Sequence, residues 1–309
     1  MINIKASDKT IASFFGSLRT LHFLTELCVE KTNIGSQGCE AFCNLLTNSE
    51  SKIQRLEICE AQLDDERMIC LGNTLAVNKT VKYLDIDMEE ENTLTSEGWR
   101  GLSQCLRNPD SALETLKFRD NCYDDEEVVA EGLAAILRAL EGNSTLKELD
   151  IGYDSDDALF IDNWVWELFD RVLCDKTSIA ATYSSNHTLQ VVKILHYFRD
   201  FRDEGGYSEV QEHVDNLLLL NGNDNKGEVA RQKILEHHFG DESADNINIF
   251  SSMPESVLVH AIEWIGRDEL GRSLMYEFVR TFLNLFGTRI VPDDAAGKKR
   301  KRGMLGHLF

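Results

Sequence analysis

The sequence predicts an α/β fold: a solenoid of strand–helix units, with a curved parallel sheet inside and helices outside, followed by a small all-α C-terminal region. Three observations carry this prediction. A six-residue core of the form apolar-x-x-apolar-x-apolar recurs five times, with a weaker sixth copy. Between copies, apolar residues fall three and four apart, which is one face of a helix. After Ile194 the period stops and separate amphipathic helix patterns take over.

The copies run Leu24–Val29, Ile53–Ile58, Val81–Ile86, Leu113–Phe118 and Leu146–Ile151, with Leu189–Ile194 as the weaker sixth. They begin 29, 28, 32, 33 and 43 residues apart. The widened last interval predicts an insertion, placed at Asp175–Ser185. One helix, Thr10–Leu18, precedes the first copy, so either a native N-terminal cap is short or the chain is truncated. The intervening helices are predicted over Ile34–Leu46, Leu63–Leu75, Leu94–Leu106 and Val128–Leu140. Gly38, Gly98 and Gly132 sit near the start of three of them, where a small residue is expected to let the helix approach the strand backbone.

One strand–helix unit cannot bury its own apolar face, whereas stacked neighbours share a continuous core. Identical units put the strands parallel on one side and the helices on the other. Helices are wider than the strand spacing of about 4.8 Å, so the stack curves with its strands inside. This pattern resembles the leucine-rich repeat, in the long-repeat form of the ribonuclease-inhibitor-like (RNI-like) superfamily, over about residues 10–200. The resemblance implies a solenoid of five to six repeats over residues 1–200. The chain departs from the family pattern after the strands: Asn33 is present, but Gln62 and Asn92 sit in less regular loops.

The chain has 309 residues, a formal net charge of −21 and 42% hydrophobic residues, enough apolar surface for a core. The acidic balance argues against nucleic acid, which needs a cationic face, and against an anionic membrane surface. No apolar run reaches membrane-spanning length. The N-terminal stretch lacks a signal peptide's apolar segment and cleavage site, so an intracellular protein is expected. Its eight cysteines form no CxxC pair and none stands at zinc-ligand spacing from a histidine. Cys39 and Cys43, four apart on one helix, are expected to face the core as reduced packing thiols. Neither a metal nor a cofactor is expected. Three N-x-S/T sequons, at Asn78, Asn143 and Asn186, lie just before a strand in each case. Their shared position in the repeat explains them better than glycosylation.

Beyond the repeats, Asp200–Gly206 reads as a charged hinge. Residues 205–290 carry four helix patterns and form a helical domain or a cap on the open end of the solenoid. The first follows Val210, Val214, Leu217 and Leu218, and the second begins near Glu228. The third opens with the capping-box spacing of Ser252–Glu255, and the fourth runs from Ser273 to Phe286, closed by Gly287. His237 and His238 are expected to be a partly exposed pair. Residues 291–309 read as a disordered basic tail. Within it, Lys298, Lys299, Arg300, Lys301 and Arg302 are either a solvated end or a nuclear-import signal. The location is therefore cytoplasmic or nuclear.

Strand side chains that do not enter the core form three rows on the concave face. The first holds Glu26, Arg55, Tyr83, Thr115 and Glu148. The second holds Cys28, Glu57, Asp85, Lys117 and Asp150, and the third Glu30, Cys59, Asp87, Arg119 and Gly152. Carboxylates prevail, so the face is either a docking surface for a basic protein partner or a generic solvated face. Lys117 and Arg119 are placed to pair with Asp85, Asp87 and Asp150. An open face with competing carboxylates lacks the enclosed pocket that acid–base catalysis by Glu57 and Asp85, or Asp85 and Asp150, would need. The acidic loops Asp124–Glu127 and Asp154–Asp157 lack EF-hand register. The expectation is a monomeric, non-enzymatic interaction scaffold. The alternative is a GTPase-activating protein, since the activators of the small GTPase Ran use similar repeats with an acidic segment; neither Arg55 nor Arg119 matches a motif of that family.

Overall fold

A computed structural model describes residues 6–88, 94–108, 111–120, 126–153, 163–196 and 209–239. All of them belong to one compact unit, Met1–Glu242. Six strands, β1 (Glu26–Glu30), β2 (Arg55–Cys59), β3 (Tyr83–Asp87), β4 (Thr115–Asp120), β5 (Glu148–Tyr153) and β6 (Val191–His196), form one sheet. They lie side by side in chain order, and every pair is parallel. Parallel neighbours require a crossover, and helices supply it here. These are α2 (Ser36–Leu46), α3 (Asp65–Val77), α4 (Ser96–Ser103, prolonged by a 3-10 turn at Gln104–Leu106), α5 (Glu126–Leu140), α6 (Asn163–Leu173) and α7 (Ile179–Ser184). The helix α1 (Asp8–Leu18) precedes the first strand, while α8 (Glu209–Asn221) and α9 (Lys226–Phe239) follow the last.

Each strand obeys a period of two. Leu27, Val29, Leu56, Ile58, Leu84, Ile86, Leu116, Phe118, Leu149 and Ile151 are all buried against the helix layer. The spacing of these pairs is the same in every copy, so the register runs unbroken from Leu27 through Leu56, Leu84, Leu116 and Leu149 to Val192. The weak sixth copy is therefore a full member of the sheet. Equivalent backbone bonds recur just beyond the strands: the N–H groups of Lys31, Glu60 and Met88 donate to the carbonyls of Cys59, Asp87 and Arg119.

The glycines at the helix starts act differently from the expectation. A side chain at Gly38 would meet Asp8 and Ile11 of α1, one at Gly98 would meet Asp65 of α3, and one at Gly132 would strike the indole of Trp99 in α4. The close approach is between neighbouring helices, not between helix and strand. Gly72 of α3 and Gly101 of α4 repeat the theme, since a Cβ at Gly72 would collide with the Gly101 carbonyl. Helices pressed side by side leave no room for a Cβ at the crossing.

Neighbouring helices also complete each other's ends. The cap position of α2 is Gly35, which has no side chain to offer; Asp8 of α1 instead accepts from the backbone N–H groups of Gln37 (2.9 Å) and Gly38 (2.7 Å). Asp65 in the first turn of α3 accepts from Thr95, the cap of α4, through its N–H (3.0 Å) and its hydroxyl (2.6 Å). Unsatisfied amide groups at a helix start are thus filled from the preceding unit.

Before three of the strands a buried asparagine performs a second recurring task. The Asn78 amide donates to the Leu46 carbonyl (2.7 Å) while its oxygen accepts from the N–H groups of Thr80 (2.9 Å) and Val81 (2.8 Å). Asn143 does the same with Leu106, Thr145 and Leu146, and Asn186 with Leu140, Thr188 and Leu189. All three are the sequon asparagines, buried with their amide nitrogens committed inside the fold. Asn221 at the end of α8 extends the pattern, donating to the carbonyls of Asn186 (3.2 Å) and Leu189 (2.8 Å).

The interval between β5 and β6 holds α6, which the sequence reading passes over, and α7, which lies inside the expected insertion. Val165, Phe169, Val172 and Leu173 bury one face of α6. α8 packs against α6 and α9 against α7. Lys233 of α9, fully buried, donates to the carbonyls of Leu173 (2.6 Å) and Asn186 (3.1 Å). His238 is not partly exposed as expected: it is buried, with its Nε2 at 2.7 Å from the Thr182 hydroxyl of α7. Only a ring at the inward-facing position of α9 can reach that hydroxyl, and a histidine pair in sequence points to two different sides of a helix. The hinge Asp200–Gly206, the helix patterns from Ser252 to Gly287, the loop at Asp154–Asp157 and the basic tail lie outside the described residues. Among the described residues, no helix is long and apolar enough to cross a membrane.

Candidate functional site

The face of the sheet turned away from the helices carries the three predicted rows side by side. The first runs Glu26, Arg55, Tyr83, Thr115, Glu148 and ends at Val191. The second runs Cys28, Glu57, Asp85, Lys117, Asp150 and ends at Lys193, and the third runs Glu30, Cys59, Asp87, Arg119 and Gly152. Parallel register turns a position repeated along the sequence into a line across the strands. The sixth strand adds Lys193 to the predicted rows, at the fifth position of the weaker sixth copy.

Most cations on this face are tied to a neighbour. Arg55 reaches the Glu57 carboxylate through Nη2 (2.6 Å) and Nε (2.8 Å), and its guanidinium lies 3.7 Å from the centre of the Tyr83 ring. Arg119 pairs with Asp87 across β3 and β4 at 3.2 Å, and Lys193 pairs with Glu148 at 2.8 Å. The expected cross-strand pairing is thus present for Arg119. Lys117 instead has its ammonium 5.7 Å from the centre of the Tyr83 ring, so Tyr83 is approached by cations from both flanking strands. Glu26 and Glu30 of the edge strand take part in no ion pair among the described residues.

Two carboxylates stand apart. Asp85 accepts one hydrogen bond on Oδ2 from the Tyr83 hydroxyl (3.0 Å), while its Oδ1 is buried and accepts none among the described residues. Asp150 is 5% exposed, and its Oδ1 is likewise buried and without a donor. The register places Lys117 between Asp85 and Asp150, in the order the row has in the sequence. Glu57 and Asp85 are direct neighbours.

Burial governs the titration of this face. It pushes the Tyr83 hydroxyl up to about 12, assisted by the bond to Asp85, and raises Asp87 against the pull of Arg119. The Cys59 thiol is driven up to about 12, by burial first and then by Cys28 and the nearby carboxylates. A thiol so raised is a poor nucleophile at neutral pH. The face offers cationic and anionic hydrogen-bonding groups at fixed spacing, arranged in lines, and among the described residues it assembles no nucleophile–base pair.

No family model matches the chain. Its relatives share one architecture in their names. NACHT, LRR and PYD domains-containing protein 13 from Homo sapiens is 27% identical over 147 residues, which is 48% of this chain and 13% of that protein. NACHT, LRR and PYD domains-containing protein 3 from Homo sapiens is 30% identical over 135 residues, 44% of this chain and 12% of that protein. NACHT, LRR and PYD domains-containing protein 14 from Mus musculus is 29% identical over 93 residues, 30% of this chain and 9% of that protein. The chain thus matches only a small part of each relative's length. At this low identity it is similar to leucine-rich repeat proteins. Among solved structures, Leiomodin-1 Actin-Binding Site 2 aligns with a TM-score of 0.35 and 17% identity over 75% of this chain and 96% of that one.

Proposed function

We propose that this chain is a leucine-rich repeat solenoid of the RNI-like type that acts as a non-enzymatic scaffold, binding a basic protein partner through the concave face of its sheet. The observation that carries the reading is the pair of buried, donor-less carboxylate oxygens of Asp85 and Asp150 on that face. A buried acceptor without a partner is costly, and an incoming lysine or arginine would supply the missing donors. Glu26 and Glu30 extend the negative potential to the edge strand, where it would steer a cationic partner. Similarity to leucine-rich repeat proteins supports the same reading, since such arrays expose large curved binding surfaces.

The remaining rows serve as complementarity around this centre, with Arg55, Glu57, Tyr83, Asp87, Lys117, Arg119 and Glu148 setting the pattern of charge. The scaffold is monomeric in this reading and works inside the cell, in the cytoplasm or the nucleus. Free thiols at Cys28, Cys39, Cys43, Cys59, Cys70, Cys105 and Cys174 support a reducing compartment.

A GTPase-activating role needs a group free to reach the nucleotide phosphates. Arg55 is held by Glu57 and Arg119 by Asp87, and no observation favours that role.

The test is affinity capture from the native cell with the wild-type chain and with a Glu57→Gln/Asp85→Asn/Asp150→Asn variant. Partners carrying basic segments should be lost or strongly depleted with the variant, and wild-type capture should weaken as salt is raised. Undiminished capture by a folded variant places the binding surface elsewhere.

A further inference from the structure

A second group of chemically active side chains lies in the helix layer, away from the rows on the sheet. Cys39 and Cys43 stand one turn apart on α2, and Cys70 comes from α3, which packs beside it. Their three sulfur atoms all lie within 4.8 Å of one another, and the sulfurs of Cys43 and Cys70 are 3.3 Å apart. No sequence motif announces the group, because its third member is 27 residues from Cys43 and belongs to the next unit.

We propose that Cys39, Cys43 and Cys70 form a three-sulfur site for a soft, thiophilic cation, with Cu(I) as the ion that fits it best. Three sulfurs around one ion at about 2.3 Å stand about 4 Å apart. The Cys43–Cys70 separation of 3.3 Å is below that value and the other two are at most 4.8 Å, so modest side-chain movement closes the site. The donors are all sulfur, which selects soft ions over magnesium, calcium or manganese. Among the described residues the group contains three donors and no fourth. Structural zinc sites take four protein ligands, whereas soft thiolate donors also select Cu(I), so three sulfurs with no fourth donor among the described residues favour Cu(I).

The surroundings suit a bound ion. Cys39 and Cys43 are buried and Cys70 is half-buried, leaving one side for entry. The backbone around the ligands is fixed: Thr47 donates through its hydroxyl to the Cys43 carbonyl (3.0 Å), and Thr74 donates to the Cys70 carbonyl (2.8 Å). Each thiol that ligates the ion gives up its proton to solvent, so loading releases acid. The site would tie α2 to α3 and so lock two adjacent repeat units together.

The experiment uses the full chain, fully reduced and held without oxygen. Cu(I) is titrated against a chromophoric Cu(I) chelator, and X-ray absorption is recorded on the one-to-one complex. The expected spectrum shows three sulfur neighbours at a single distance near 2.3 Å. Cys43→Ser and Cys70→Ser should each weaken Cu(I) binding at least tenfold, while a Cys28→Ser/Cys59→Ser variant should bind as tightly as wild type. Far-ultraviolet circular dichroism verifies that each variant is folded, and Cys70, half-buried, is the substitution the fold tolerates most readily. Two sulfur neighbours, or equal affinity in the Cys43 and Cys70 variants, overturns the proposal. So does a Cys43–Cys70 disulfide that re-forms under reductant and leaves no Cu(I) bound. Because these residues lie in the helix layer, capture of a protein partner by the sheet face stands or falls separately.

Discussion

The Asn143 side-chain amide lies 2.8 Å from the Leu106 carbonyl, 37 residues earlier in the chain, while its oxygen accepts from the Thr145 and Leu146 N–H groups. One buried residue therefore joins the end of the preceding unit's helix to the segment that leads into β5. Asn143→Ala leaves a carbonyl and two N–H groups without partners inside the fold. The expected loss is about 2–4 kcal/mol, read from the urea midpoint with an unchanged slope. Asn143→Asp should be no milder, since an acceptor then faces the Leu106 carbonyl.

Asp8 caps a helix that is not its own. Asp8→Ala removes both bonds to Gln37 and Gly38, and Gly35 has no side chain to replace them. Stability should fall by about 1 kcal/mol, the usual value for a lost cap. Hydrogen exchange should report the change in the first turn of α2 more than in α1, where a purely local effect would appear.

Gly132→Ala tests the contact between helices. The added methyl meets the Trp99 ring, which is itself fully buried edge-on against Phe118 at 4.7 Å. The expected cost is about 1–3 kcal/mol from overpacking. Gly142→Ala has nothing within 4 Å of the new atom and should change stability by no more than about 0.5 kcal/mol.

Lys233 makes stability depend on pH. Burial lowers its ammonium to about 7 in the folded chain, against 10.5 when exposed. A neutral amine has two N–H bonds, and two carbonyls receive them. Between pH 7 and 10.5 the unfolded chain holds a proton that the folded chain does not, so stability rises with pH across that window. The slope is at most about 1.4 kcal/mol per pH unit. Lys233→Met should flatten the profile of thermal midpoints over pH 7–10. His187, lowered to about 4 by burial, acts in the same direction lower down, with stability falling as pH drops from 6.5 to 4.

The strands were legible in the sequence because each copy keeps the same count between its first and last apolar residue. That constancy also made the rows readable, since Glu57 and Asp85 had to become neighbours once Leu56 faced Leu84. α6 was not legible: the 43-residue interval that holds it also contains α7, so no single phase connects the flanking strands. The caps supplied by Asp8 and Asp65 escaped notice because capping rules look within one turn, whereas these partners are about 30 residues away in the chain. The burial of Asp150 depends on what two other strands place beside it, Lys117 and Lys193, and no pattern within β5 encodes that.

The sheet whose strands lie in chain order has a mechanical consequence. Each strand is hydrogen-bonded only to its predecessor and its successor, so tension applied at the two ends of the array passes through every joint in series. Such a strap stretches by the sum of its joints but breaks at the weakest one, and each rupture releases a single unit's length of slack. Drawn out between two beads, the array would yield as a staircase of steps spaced by the repeat, with the order of the steps ranking its joints by strength.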